Sequence, residues 1–230
     1  MEQAEFDHHA KAYEQQLREN VAITGEGPEY FAEYKIADLR TVCDAALLDV
    51  KSLLDFGAGI GASTPYMSEN FPESQIISAD VSSKSLEILG QRYPDLSRPV
   101  LIEEDRLPLD DDSVDLAFTA CVFHHIDASE HEHWLGEIRR VVRPGGLFVL
   151  FEHNPWNPLT VRAVNTCPFD ENAVLIAAPE MTRRLGGAGW EAVTTKYRLF
   201  FPSLLAVLRP AEALLGWVPL GGQYYLVARA

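Results

Sequence analysis

Hydrophobic positions along the chain follow two different patterns that meet near residue 51. Before it, apolar side chains recur at helical spacing, for example at Phe6, Ala10 and Tyr13. The stretch EYFAEYKIADLRTVCDAALL repeats this pattern more strongly. After residue 51, short apolar runs alternate with amphipathic segments. The first fifty residues are therefore predicted to be helical, and the remainder to alternate strands with helices.

The alternating segments form a regular series. Strands are predicted at Ser52–Phe56, Gln75–Ala79, Val100–Ile102, Val114–Ala120 and Leu147–Glu152, with helices at Ser63–Asn70, Ser83–Tyr93 and Glu130–Val142. Closing strands are predicted at Glu191–Phe201 and Gln223–Ala228, separated by an apolar helix at Ser203–Leu215. Strand–helix alternation of this kind is typical of a mostly parallel sheet with helices on both faces.

The helix predicted at Glu130–Val142 has the clearest boundary signals. Ser129 and Glu132 have the spacing of a capping box at its start. The sequence RPGG follows directly and is expected to end it.

Three glycines at alternate positions follow the first predicted strand, in the sequence LLDFGAGIG. Ligands of open α/β sheets bind beyond the carboxyl ends of the strands, where Gly57, Gly59 and Gly61 would lie. Glycines at that place let a ligand approach the backbone closely. A tight turn required only for packing would use the same residues, so these glycines alone leave both explanations open.

Two acidic side chains at the ends of the next strands favour a ligand. Asp80 ends the second strand, where a carboxylate can accept hydrogen bonds from both hydroxyls of a ribose. Asp105 follows the third strand, where it can accept a hydrogen bond from the exocyclic amino group of adenine. Together with the glycines they predict a nucleoside pocket.

Composition restricts the partners and the setting. The 230-residue chain has 34 acidic and 19 basic residues and a formal net charge of −15, which disfavours nucleic acid as a partner. It has no apolar run long enough to cross a bilayer and no secretory signal pattern, so we expect no stable membrane insertion. Its three cysteines form no C-x-x-C pair, which favours a cytoplasmic location.

Four motifs, in this order, resemble those of the class I S-adenosylmethionine-dependent methyltransferases: LLDFGAGIG, IISAD, EEDRLPLDDDSVDLAFTACVFHHI and LGEIRRVVRPGGLFVLFE. The resemblance implies an α/β, Rossmann-like, doubly wound sheet of seven strands with the last strand antiparallel. It also implies that S-adenosyl-L-methionine is the cofactor. We expect residues 1–50 to form a helical lid and acceptor segment, and residues 51–230 to form the cofactor-binding core. An acceptor-binding insertion is expected around residues 153–178.

The resemblance assigns roles to individual residues. Asp55 and the three glycines would shape the methionine side of the site, and Asp80 would hold the ribose. The other contacts implied are Val81, Asp105, Arg106 and Leu107 around adenine, Ala120 and Cys121 near the methyl group, and Tyr13 from the lid.

A general base is needed when the methyl acceptor is a hydroxyl group or a carbon acid. His124 and His125 follow the fourth strand and His153 ends the fifth, so these three are the candidate catalytic residues. A purely structural hydrogen bond is the alternative role for each of them.

A metal site is not predicted. His131 and His133 are two positions apart on a helix, so their imidazoles point in different directions. The other histidines show no metal-ligand spacing either.

The acceptor is predicted to be a small organic molecule, apolar or aromatic, and methylated on oxygen or carbon. Aromatic residues in the outer segments favour an apolar acceptor, and a D/N-P-P-Y motif at the fourth strand is absent. Other functions remain open, namely a non-catalytic domain that binds S-adenosylmethionine or another nucleoside, a nucleotide-dependent oxidoreductase, and an aminopropyl transferase.

Overall fold

Seven strands of the described residues form one sheet. The structure, a computed structural model, describes residues 25–167, 170 and 172–230. The strands are β1 (Ser52–Phe56), β2 (Gln75–Asp80), β3 (Arg98–Leu101), β4 (Val114–Ala120), β5 (Val142–His153), β6 (Glu191–Arg198) and β7 (Gln223–Arg229). Their order across the sheet is β3-β2-β1-β4-β5-β7-β6.

The first five strands are parallel, and β7 runs antiparallel to both β5 and β6. This confirms the predicted seven-stranded, Rossmann-like sheet with an antiparallel last strand. Leu54 of β1 pairs with Ile77 of β2 on one side and with Ala117 of β4 on the other. The carboxyl ends of these central strands therefore meet at one edge of the sheet, and this edge carries the candidate site.

Helices cover both faces of the sheet. They are α1 (Pro28–Ala46), α2 (Thr64–Asn70), α3 (Ser83–Arg92), α4 (His131–Val141), α5 (Pro158–Asn165), α6 (Ala178–Gly187) and α7 (Glu212–Leu215), with 3₁₀ segments at Phe123–His125 and Ser203–Ala211. Among the described residues, no helix is both long enough and apolar enough to cross a membrane. The helix predicted around Tyr13, and Tyr13 itself, lie outside the described residues.

Alternation along β1 shows how the sheet supports two cores. Leu54 packs into a cluster with residues of α4 and α6, while its neighbour Leu53 packs into a second cluster with residues of α1 and α2. Both side chains are fully buried. Successive residues of a strand point to opposite faces, so a strand buried on both faces is continuously apolar.

Two local predictions were wrong at the ends of α4. The Ser129 hydroxyl and amide both donate to Asp127 Oδ1, at 2.5 and 2.8 Å, and the N-cap residue Glu130 makes no side-chain cap hydrogen bond within the described part of the chain. An Asp turn thus replaces the capping box expected from Ser129 and Glu132. Strand β5 begins at Val142, directly after α4, so the RPGG sequence belongs to the strand.

The apolar segment between the closing strands also differs from its prediction. Ser203–Ala211 is a 3₁₀ segment containing Pro210, and only Glu212–Leu215 is α-helical. Proline lacks the amide needed for a continuous helix, which explains the interruption.

Candidate active site

The loop between β1 and α2 contains three glycines in the left-handed region of backbone space. Gly57, Gly59 and Gly61 have φ of 78°, 54° and 81°. A Cβ at Gly57 would lie 2.4 Å from Val122 Cγ2, and one at Gly61 would lie 2.9 Å from Leu89 Cγ. At Gly59, no described atom lies within 4 Å of that position. Packing therefore explains the outer two glycines, and the middle one faces open space where a ligand can lie against bare backbone.

The Asp80 carboxylate holds this loop. Its Oδ2 accepts a hydrogen bond from the Gly59 amide at 2.7 Å, and its Oδ1 accepts one from the Ser82 amide at 2.8 Å. The amide of Gly57 donates to the carbonyl of Ala79 at 2.8 Å, so the loop is also tied to the end of β2 through the backbone. The carboxylate predicted for the ribose and the glycines predicted for the cofactor are thus in direct contact.

Asp55 is a second carboxylate near this loop, at 3% exposure. Its Oδ2 has no hydrogen-bond partner among the described residues. Burial, and then the negative charge of Asp80, raise the pKa of the Asp55 carboxyl to about 7. An unpartnered buried carboxylate next to another acid is an environment that a cationic ligand group stabilises.

The residues predicted around adenine lie on the next segment of the chain. Val81 is partly buried against the core cluster that contains Leu54. The Ile102 amide donates to the Asp80 carbonyl at 2.9 Å, so the segment that leads to Asp105 leaves the sheet beside Asp80. Asp105 and Arg106 are exposed.

Leu107 lies on the same segment but is fully buried. Its amide donates to Glu137 Oε2 at 3.1 Å. In this structure Leu107 packs in the core, and its amide is engaged by α4.

The end of β4 forms a second, buried part of the site. Ala120 pairs with Phe151 of β5, and Cys121 follows it with φ of 60°. The Cys121 Sγ lies 3.6 Å from Lys35 Nζ and 3.5 Å from Gln223 Nε2. Sequence reasoning did not identify Lys35 or Gln223, which come from α1 and β7.

The surroundings of Cys121 lower the pKa of its thiol and so favour the thiolate. Burial raises its pKa, but His153 and then Lys35 outweigh burial and bring it down to about 7. A thiolate near neutral pH requires an electropositive neighbourhood of this kind.

A buried ion pair lies next to Cys121. The Nδ1 atom of His124 is 2.7 Å from Glu152 Oε2, and both side chains are about 1% exposed. The other Glu152 oxygen accepts a hydrogen bond from the Phe123 amide at 2.8 Å. Burial disfavours both charges, yet their attraction lowers the pKa of Glu152 to about 2 and raises that of His124 to about 10. The pair is therefore ionised at neutral pH.

The three predicted catalytic histidines are brought together. The ring centroid of His124 lies 4.1 Å from that of His125 and 5.2 Å from that of His153. Burial, and then the charge of His124, lower the pKa of His125 to about 4. Asp170, which sequence reasoning did not identify, approaches both His124 and His125.

Comparisons with known proteins match the core of the chain. A family model described as a methyltransferase domain matches residues 54–150. An uncharacterized methyltransferase-like protein of Schizosaccharomyces pombe is 34% identical over 115 residues, covering 50% of this chain and 43% of that protein. The malonyl-[acyl-carrier protein] O-methyltransferase of a Marinomonas species is 27% identical over 143 residues, covering 61% of this chain and 52% of that protein. The chain thus spans about half the length of these curated relatives.

A solved structure covers almost the whole chain. The SAM-dependent methyltransferase of Thermotoga maritima, described as a possible histamine N-methyltransferase, superposes with a TM-score of 0.68 at 18% identity. The match covers 99% of this chain and 98% of that one. The two proteins therefore share one fold.

Proposed function

We propose that this protein is a class I S-adenosylmethionine-dependent methyltransferase that transfers a methyl group to oxygen or carbon of a small organic acceptor. The match of residues 54–150 to a methyltransferase-domain family model and the fold shared with a SAM-dependent methyltransferase support the proposal. The observation that carries the proposal is the contact between Gly59 and Asp80. It combines open backbone, a positioned carboxylate and the carboxyl edge of a parallel sheet, where ligands of this fold class bind.

The residues of the cleft fit S-adenosylmethionine. Asp80 would accept the ribose hydroxyls, because its carboxylate ends β2 beside the open backbone of Gly59 and a carboxylate offers about four acceptor positions. The unpartnered oxygen of Asp55 would pair with a cationic group of the methionine part. When bound, the cofactor supplies a methyl group that its positively charged sulfur has already activated.

With an activated donor, the protein has to align the acceptor, exclude water and, where necessary, take a proton. We propose His153 as the base. His124 is unsuited because its Nδ1 is paired with Glu152 and its Nε2 approaches Asp170, and the Nε2 of His125 also approaches Asp170. The Nδ1 of His153 lies 3.4 Å from Gln223 Nε2, at the same strand ends as Cys121.

An apolar rim beyond β5 supports an apolar acceptor. Trp156 and Leu159 are 48% and 66% exposed, and Trp217 and Leu220, just before β7, are 80% and 61% exposed. The Asn157 side chain donates to the Leu220 carbonyl at 2.8 Å, so the two apolar segments lie side by side. Exposed apolar side chains grouped in this way are typical of a ligand or partner surface.

Other observations support the proposed acceptor atom and the proposed cytoplasmic location. The relative named as an O-methyltransferase supports oxygen, and an acidic chain does not favour a nucleic-acid acceptor. Cys43, Cys121 and Cys167 are all free thiols, which suits a cytoplasmic enzyme.

The test is to incubate the protein with methyl-labelled S-adenosylmethionine and a cell extract, and then to separate small molecules from protein and nucleic acid. We expect label in a small-molecule product, and clearly less label with the Asp80→Ala variant when the donor is below saturation. Label confined to protein or nucleic acid would refute the small-molecule acceptor. Donor binding without any transfer would favour the non-catalytic alternative.

A further inference from the structure

Two imidazole nitrogens and one carboxylate converge beyond the end of β4. The Nε2 atoms of His124 and His125 lie 3.5 and 3.4 Å from Asp170 Oδ1. Among the described residues, these three offer one ligand atom each, all within 4.8 Å of one another. We propose that His124, His125 and Asp170 bind one zinc ion.

The spacing of the ligand atoms supports tetrahedral coordination. Hydrogen bonds between nitrogen and oxygen are usually about 2.7–3.2 Å long, so the two contacts of Asp170 are too long to be good hydrogen bonds. Zinc binds nitrogen and oxygen at about 2.0–2.2 Å, which places neighbouring ligands of a tetrahedron roughly 3.3–3.5 Å apart. Octahedral coordination at about 2.0–2.1 Å would require roughly 2.9 Å. The two distances to Asp170 Oδ1, 3.5 and 3.4 Å, match the tetrahedral value, and the two imidazole nitrogens lie within 4.8 Å of each other.

Glu152 orients the first ligand. It lies 2.7 Å from His124 Nδ1, on the far side of the ring from the Nε2 atom that approaches Asp170. Metal-binding histidines usually donate their second nitrogen to a carboxylate or carbonyl in this way. Glu152, on β5, is itself held by the Phe123 amide at 2.8 Å, so both β5 and the 3₁₀ segment that carries His124 fix the orientation of the imidazole.

The charges of the cluster also favour a dication. The carboxylates of Glu152 and Asp170 are both shielded from solvent, with side-chain exposures of 1% and 10%. A zinc ion bound by neutral His124 and His125 would neutralise the negative charges of both carboxylates. A proton on His124 Nε2 is the alternative to the metal ion, because a proton and a metal ion need the same lone pair of that nitrogen.

The site links separate parts of the fold and is accessible. Asp170 comes from the segment after α5, and the Val174 amide of that segment donates to the His124 carbonyl at 2.9 Å. The His125 side chain is 17% exposed, which gives a metal ion access. Three protein ligands leave one tetrahedral position for water or another ligand. Adjacent histidines plus a distant aspartate form no local motif, which explains why the sequence predicts no metal.

The experiment measures metal binding directly and does not depend on methyl transfer. The untagged full chain is freed of metal with a chelator and titrated with Zn²⁺ against a chromophoric competitor, and Co²⁺ is used as a spectroscopic probe. We expect one high-affinity Zn²⁺ per chain, and a Co²⁺ visible band of tetrahedral type. His125→Ala and Asp170→Asn should each weaken Zn²⁺ binding at least 100-fold, and Glu152→Gln about 10–100-fold.

Matched controls keep the result specific. His133 is exposed on α4 and is not one of the three proposed ligands, so His133→Ala should retain wild-type affinity. Circular dichroism checks that each variant is folded, and Zn²⁺ should raise the unfolding temperature of wild type but not of Asp170→Asn. Failure of the wild-type protein to bind Zn²⁺, or unchanged affinity in both His125→Ala and Asp170→Asn, would overturn the proposal in favour of a proton-bridged cluster.

Discussion

The Gly59 amide donates a hydrogen bond to the Asp80 carboxylate at 2.7 Å. This bond joins the loop after β1 to the end of β2. The Gly59 backbone at this point faces open space. The same carboxylate is expected to hold the ribose of the methyl donor. Loop shape and donor recognition therefore depend on one side chain.

Replacing this side chain should weaken donor binding. In Asp80→Ala the ribose hydroxyls and the Gly59 amide lose their acceptor, so we expect a loss of about 1–3 kcal/mol, or roughly 10–100-fold in affinity. Isothermal titration with S-adenosylhomocysteine measures it, and Asp95→Ala, at an exposed acid before β3, is the matched control. Equal affinities in the two variants would reject the ribose assignment.

A methyl group at Gly59 should block the cofactor. Gly59→Ala places a Cβ in the open space beside the loop after β1. The matched control Gly145→Ala also places a Cβ in open space at a positive φ, but near the start of β5. Each should cost about 1–2 kcal/mol of folding stability from left-handed backbone strain. Only Gly59→Ala should lose donor affinity, and a normal affinity in that variant would mean that the ligand does not approach this backbone.

The raised pKa of Asp55 should make stability depend on pH. Between about pH 4 and pH 7 the folded protein keeps a proton on Asp55 that the unfolded chain releases. The free energy of unfolding should therefore fall as pH rises through this range, by up to about 4 kcal/mol from this group. Asp55→Asn cannot titrate and should lack this contribution.

Urea unfolding of wild type and Asp55→Asn at pH 4 and pH 8 tests this expectation. The variant should gain stability relative to wild type as pH rises. A difference between the two proteins that stays constant with pH would show that Asp55 is already ionised at low pH in the folded state.

Removing the proposed base should affect transfer more than binding. His153→Gln keeps a polar side chain beside Gln223 but has no imidazole to accept a proton, so we expect the transfer rate to fall about 10²–10⁴-fold. Donor affinity should stay near the wild-type value. Transfer of labelled methyl groups at saturating donor measures the effect, and a rate within twofold of wild type would exclude His153 as the base.

Local sequence patterns predicted the frame of the fold well. Apolar runs bounded by acids and glycines gave the strands from Ser52 to Ala120 within about two residues, because buried parallel strands are continuously apolar. The predicted capping box is absent because the Ser129 hydroxyl donates to Asp127 Oδ1 and does not cap the helix. The start of β5 was missed because RPGG is typical of a helix end, whereas here it continues into the sheet.

The site was predictable only where its residues follow strands directly. The glycine loop, Asp80 and the three histidines all lie at the ends of strands of a regular series or within a few residues after them. Lys35, Asp170 and Gln223 come from α1, the segment after α5 and β7, and tertiary packing alone brings them to Cys121 and the histidines.

A crystal structure with bound S-adenosylhomocysteine tests the central claim most directly. We expect both ribose hydroxyls within hydrogen-bonding distance of the Asp80 carboxylate, and the ligand in contact with the main chain at Gly59. A ligand bound away from these two residues would contradict the account.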